Sequence, residues 1–393
     1  MKEITPKLTD GILYLPVCGR IDSANAADVE ASLREIISGY DFDGLVLDVD
    51  KLDYISSAGL RIVLRLRKEN PSLKIINASP EIYEIFDMTG FTEMIPVEKA
   101  YRKLSVDGCE VIGRGANGEV FRLDPDTIIK VYYNPDALPD IHHERELARR
   151  AFVLGVPTAI PYDVVRVGEG YGSVFELLNA KSLAKLIAAE PESADKYIDM
   201  FVELLKTIHA TEVRPEDMPD MKAVAIDWVE FLRDYLAPDK WQKLKSLVSA
   251  VPEGHKMIHG DYHTKNVMLQ NGEALLIDMD TLSQGDPIFE FASIYNAFKG
   301  FSDLDHAEAM RFQGLDRSMT EHIWDRTLSL YLGTDDENVL RDAENKSKLM
   351  GYTRLMRRTI RRHGLETDEG RKKIAYYKEQ IESLVDSVDK LTF

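Results

Sequence analysis

Residues Glu110–Asn134, EVIGRGANGEVFRLDPDTIIKVYYN, hold a glycine loop between β-rich runs, and the segment just after the loop decides the fold. Gly113, Gly115 and Gly118 complete a G-x-G-x-x-G pattern, which is weak evidence alone because unrelated folds use it to approach phosphates. A dinucleotide fold needs a helix directly after the glycines, its N-terminus aimed at the pyrophosphate. Here Glu119–Leu123, the turn Asp124-Pro125-Asp126 and Thr127–Tyr133 read as a hairpin instead. A glycine loop continuing into a hairpin folds over a nucleotide's phosphates as a cover. Lys130, in IIKVYY, then stands where an ammonium reaches the α and β phosphates.

That lysine needs an anionic partner. The next helical run, opened by Asp140 and ended near Gly155, carries Glu144 and Glu146. Glu144 shares a face with Leu147, Ala151 and Leu154, which turns it toward the core; Glu146 is the alternative within register error. Farther on, HGDYHTKN (259–266) packs two histidines, an aspartate, a lysine and an asparagine into one stretch. His259, Asp261 and His263 alternate as zinc ligands on a strand would, but no second clustered His motif supplies the remaining ligands. Phosphoryl transfer needs a carboxylate beside the acceptor hydroxyl, an amide oxygen for Mg²⁺ a few residues on, and a second carboxylate on the metal. Asp261, Asn266 and Asp278, the last ending the apolar run ALLID, meet those needs in order. Oxygen ligands suit a hard ion such as Mg²⁺.

With these residues in place, the sequence resembles the aminoglycoside phosphotransferase and choline kinase branch of the protein-kinase-like fold. HGDYHTKN is similar to that branch's catalytic loop, LLIDMD to its metal-binding strand and GDPIFEFA to the segment after it. VFELLNAKSL resembles its hinge, which implies adenine binding by backbone groups near Leu177 and Leu178, and ELLKTIHA resembles its first C-lobe helix. The resemblance runs from about Glu110 to Lys299. Two departures stand out: Asp280 where the family usually has glycine, and Glu290 in place of a frequent aspartate. The implied fold is α+β and bilobal over 109–393, with a strand-rich N-lobe (about 109–178) and a helical C-lobe (about 179–393). The implied activity is ATP- and Mg²⁺-dependent transfer of the γ-phosphoryl group to a hydroxyl of a small molecule or protein.

The first hundred residues obey a different grammar. Strand-like and helix-like blocks alternate: GILYLPVCGRI, then SANAADVEASLREII as a helix capped by Ser23, GLVLDVD, AGLRIVLRLRKEN, LKIINAS and PEIYEIFDMTGF. The alternation predicts a small α/β domain. LDYISSAGLRIVL resembles the signature of anti-sigma factor antagonists, the STAS fold, over most of residues 1–105. That resemblance implies a phosphorylation switch at Ser57 and an anti-sigma factor or similar protein partner, although Ser56 replaces the family's usual aspartate. A serine before an amphipathic helix is also what a plain N-cap looks like. Asp107-Gly108 marks the junction, and no Gly/Ser- or Pro-rich tether separates the domains.

The 393-residue chain carries a net charge of −18, which opposes nucleic-acid binding. No apolar run approaches the roughly 20 residues of a membrane span, and Ile12–Cys18, interrupted by Pro16, lacks a signal-peptide pattern. Two distant cysteines, Cys18 and Cys109, argue against a disulfide framework and fit a cytoplasmic protein. One basic stretch interrupts the acidic chain: Arg354, Arg357, Arg358, Arg361, Arg362 and His363, then Arg371, Lys372 and Lys373. Helical spacing reads most simply as a solvated face, with an anionic acceptor or partner as the alternative. Asp303, Asp305 and Glu308 are the corresponding candidates for a cationic acceptor. A competing reading makes the chain a nucleotide-binding signalling scaffold or anti-sigma factor antagonist with little turnover. A third has the kinase domain phosphorylate Ser57 itself.

Overall fold

Strand Ile12–Ile21 alternates buried and half-buried positions, placing Leu13, Leu15 and Val17 on the core side of a sheet. Its parallel neighbour Gly44–Ile55 contributes Leu45, Leu47 and Val49. Pro16 lacks an N–H to give the ladder, and the register shifts just after it. The sheet is completed by Lys7–Thr9, antiparallel at one edge, and by Lys74–Ala78 and Val97–Lys99, both parallel. Helix Ser57–Glu69 lays Leu60, Ile62, Val63 and Leu66 on this core, and Pro80–Met88 adds Ile82 and Phe86. The sequence expectation of a helix capped by Ser23 is corrected. The helix runs Ala26–Ser38 with Asn25 at its N-cap position. Asn25 uses its side chain on the preceding loop, accepting from the Asp22 amide (2.9 Å) and donating to the Arg20 carbonyl (2.7 Å).

The computed structural model describes residues 5–115 and 117–393; the opening residues 1–4 of the N-terminal domain and Ala116 of the glycine motif lie outside them. The chain divides into two compact units, Met1–Leu104 and Ser105–Phe393. In the second unit five antiparallel strands take the order Pro161–Val167, Gly170–Glu176, Thr127–Tyr132, Gly118–Arg122, Glu110–Arg114. Helix Leu138–Val153 packs beside them and buries Ile141, Glu144, Leu147 and Ala151. From Leu183 onward helices dominate. Pro287–Phe298 is buried on every side from Ile288 to Phe298, its polar Glu290, Ser293 and Asn296 included. Around it lie Ala194–Ala210, Arg317–Leu332 and Glu337–Arg361, whose Phe201, Trp324 and Tyr352 are almost wholly buried. A small sheet holds Val267–Gln270 against Glu273–Leu276, and the loop before it carries HGDYHTKN. The architecture is an α/β unit followed by an α+β unit with strand-rich and helical parts.

Candidate functional site

The glycine hairpin, the HGDYHTKN loop and helix Glu337–Arg361 surround one cavity of about 670 Å³. Gly113, Gly115 and Gly118 all line it. Gly118 is fixed by the fold itself, because a Cβ there would meet the Val131 carbonyl oxygen at 2.2 Å. At Gly113 and Gly115 a Cβ would meet only ordinary van der Waals contacts.

Lys130, in the central strand of this sheet, reaches across to helix Leu138–Val153. Its Nζ donates to both oxygens of Glu144 (2.9 and 3.0 Å), and the Tyr132 hydroxyl donates to the same carboxylate (2.6 Å). Burial opposes charge on Lys130, yet Glu144, then Asp278 and Asp280, hold its ammonium above the usual lysine range. Glu146, the alternative partner, instead pairs with Arg149 and Arg150 on the outside of the helix. The third contact of Lys130 is Asp278 Oδ1 at 3.5 Å. Asp278 holds φ at +65°, a left-handed conformation uncommon for aspartate and of the kind stored at functional sites. Asp280 lies in the same acidic group. Burial, then repulsion from Asp278 and Glu144, pushes its carboxyl up to about 7.

The loop after strand Met257–Ile258 is held from beneath by Glu290. Its fully buried carboxylate accepts from the amides of His259 and Gly260, the latter at 3.0 and 3.2 Å. Gly260, at φ +80°, passes so close to Thr281 that a Cβ would lie 2.7 Å from its carbonyl oxygen. His259 is committed within the loop: Nδ1 accepts from the Asp261 amide (3.3 Å) and Nε2 donates to the Ile277 carbonyl (3.2 Å). With both ring nitrogens used, His259 is no zinc ligand, and among the described residues no group of three or more His, Cys, Asp or Glu side chains forms a metal cluster. Burial would raise the Asp261 carboxyl, but His263 (Nε2–Oδ2 3.6 Å), then Arg354 and His259, hold it far below the usual carboxylate range. Asn266 donates Nδ2 to the Asp261 carbonyl (3.0 Å), which leaves its Oδ1 for another partner. Asp261, Asn266, Asp278 and Asp280 line the cavity together with Lys130 and Glu144.

The phosphotransferase enzyme family matches residues 108–322, more than half of the chain. The chain belongs to this family. The STAS domain family matches residues 3–104, and the N-terminal unit is a STAS domain. That unit is 37% identical over 99 residues to BtrV of Bordetella bronchiseptica, which carries the name of an anti-sigma factor antagonist; the match covers 24% of this chain and 84% of BtrV. Among solved structures, a thermostable mutant of the aminoglycoside phosphotransferase APH(4)-Ia superposes with a TM-score of 0.48 at 15% identity, covering 71% of this chain and 94% of that one. A choline/ethanolamine kinase family protein from Mesorhizobium loti gives 0.46 at 16% identity, covering 71% and 88%.

At the expected hinge the Leu177 amide donates to the Asp126 carbonyl (2.7 Å). The apolar lining of the cavity includes Val120, Ile128, Phe175 and Ile277. In this phosphotransferase one expectation needs correction. The basic stretch is not simply a solvated face. Arg354 donates to the Gly260 carbonyl (2.7 Å), and Arg354, Arg358 and Arg362 all line the cavity that contains Asp261. Their spacing of four residues was the available signal, because on a helix it aligns them on one side. In the STAS domain, Ser56 is the N-cap of helix Ser57–Glu69, its side chain accepting from the Gly59 amide, while Ser57 is exposed. No helix among the described residues is long and apolar enough to cross a membrane.

Proposed function

We propose that the second unit transfers the γ-phosphoryl group of ATP to an alcohol, with Mg²⁺ as cofactor. One observation carries this reading: the Lys130–Glu144 pair faces Asp278 in the cavity that also holds Asp261 and Asn266. The glycine hairpin covers the phosphates, and Lys130, held by Glu144, binds the α and β phosphates. The oxygen donors fit a hard cation that keeps most of its shell for phosphate and water, namely Asn266 Oδ1 and Asp278, with Asp280 beside them. Bound there, Mg²⁺ would offset charge on the phosphates. Asp261 orients the acceptor hydroxyl. So acidic a carboxylate is a weak base toward a free alcohol, and it takes the proton only as the bond to phosphorus forms.

The STAS domain serves as the regulatory module, with an anti-sigma factor or related protein as its partner. Phosphate on exposed Ser57 would sit at a helix N-terminus, where the dipole accommodates it, and would repel a partner without unfolding the domain. Free Cys18 and Cys109 suit the reducing cytoplasm.

The test is steady-state kinetics of Asp261→Asn beside nucleotide titration. The expected result is a loss of about 10²–10⁴ in kcat with ADP still bound. Unchanged turnover removes Asp261 from the reaction, and tight ATP binding without turnover by the native chain would favour a scaffold. Intact-mass spectrometry of the native chain and of Ser57→Ala after incubation with MgATP tests self-modification; phosphate never found at Ser57 ends that reading.

A further inference from the structure

The cavity is lined by two chemically different groups of residues: the glycines, Lys130 and the acidic group, and, from helix Glu337–Arg361 and its C-cap, Arg354, Arg358 and Arg362, of which Arg354 reaches the loop of Asp261. In a chain of net charge −18 the arginine group is conspicuous. Among the described residues none of these three arginines has a carboxylate within ion-pairing distance. Arg354 is held by the Gly260 carbonyl and lies over the Trp228 ring (5.6 Å). Arg358 lies over Phe301 (5.3 Å), with Asp261 within electrostatic reach, and both Arg358 and Arg362 also line an adjoining cavity of about 420 Å³.

The acidic candidates for a cationic acceptor are otherwise engaged. Asp303 is bound by Arg317 (3.0 Å) and by the hydroxyls of Tyr352 (2.6 Å) and Tyr295 (3.2 Å). Asp305 and Glu308 both pair with Arg311. Cations without carboxylate partners and carboxylates with partners describe a site for a negative ligand.

We propose that the phosphoryl acceptor is an anionic alcohol, a small molecule carrying a carboxylate or phosphate as well as the reacting hydroxyl. The inference rests on the phosphotransferase reading above. Arg358 and Arg362 bind the anion, and Arg354 is a positioning residue that ties the same helix to the loop of Asp261. The hydroxyl oxygen bonds to the γ-phosphorus, the bond from that phosphorus to the bridging oxygen of ADP breaks, and the hydroxyl proton passes to Asp261 and then to water.

The experiment is calorimetric titration of the full chain in MgADP with glycerol 3-phosphate, D-glycerate, choline and kanamycin in turn, repeated on the double variant Arg358→Gln, Arg362→Gln. At least one anionic probe is expected to bind, about tenfold or more weaker in the double variant, with the phosphate and carboxylate arms telling which anion is preferred. Absence of binding by both anions, binding unchanged in the double variant, or tighter binding of choline or kanamycin overturns the proposal. ADP titrated alone reports separately on the phosphotransferase reading: its failure to bind removes that reading and the acceptor role with it, whereas ADP binding with neither anion bound overturns this proposal alone.

Discussion

Replacing Glu290 tests how the HGDYHTKN loop is built. Its carboxylate is fully buried and accepts from the two successive amides of His259 and Gly260. Hydrogen bonds to a charged group contribute about 1.5–3 kcal/mol each, and Glu290→Ala leaves both donors buried without partners. The expected loss is about 3–5 kcal/mol, which at roughly 2 °C per kcal/mol for a unit this large lowers Tm by about 6–10 °C. Asp261 comes directly after Gly260, and a shift of about 1 Å in a reacting group costs on the order of 10²-fold in rate. The pH dependence has a definite sign. Burial pushes the Glu290 carboxyl up, but His209, His259 and the loop amide together bring it below its ordinary 4.5. Its stabilisation is therefore present above pH 4.5 and lost as the pH falls through the lower folded value. Scanning calorimetry of wild type and Glu290→Gln from neutral to acid pH should show a constant gap that closes below that point. A Glu290→Ala protein that melts within about 2 °C of wild type and retains full kcat would refute the reasoning.

Glu144→Gln keeps the shape of the Lys130 partner but removes its charge, so nucleotide affinity should fall by about tenfold to a hundredfold, read by titration with ADP. Ser56→Ala should destabilise the STAS domain by about 1 kcal/mol through loss of the N-cap, whereas Ser57→Ala, at an exposed position, should change its melting by less than about 0.5 kcal/mol in the same calorimetric scan. Gly118→Ala forces backbone movement at Val131 and should cost about 1–3 kcal/mol, visible as a lower Tm; an unchanged Tm would mean the hairpin relaxes freely.

Much of the site is local in sequence, and local features were legible. The hairpin after the glycines separated a phosphate cover from a dinucleotide crossover, and helical register favoured Glu144 over Glu146, as the contact with Lys130 shows. Ser23 misled because short polar residues compete for the start of a helix, and Asn25 used its amide on the loop instead. Hinge backbone groups are less legible, because which of them a neighbour claims depends on the fold, as Asp126 claims the Leu177 amide. Glu290 looked like a departure until the backbone placed its carboxylate under the loop. The arginines lie more than ninety residues beyond Asp261, so their charge pattern was visible while the surface they face depended on tertiary packing.

The family match ends at residue 322, but helix Glu337–Arg361 closes one side of the cavity from beyond that limit. If the acceptor binds the arginines as proposed, chemistry and choice of acceptor are written in separate stretches of the gene. Drift in the C-terminal helices would then retarget the enzyme while the nucleotide machinery is inherited intact, and a chimera exchanging residues 323–393 with a relative should carry acceptor preference with it.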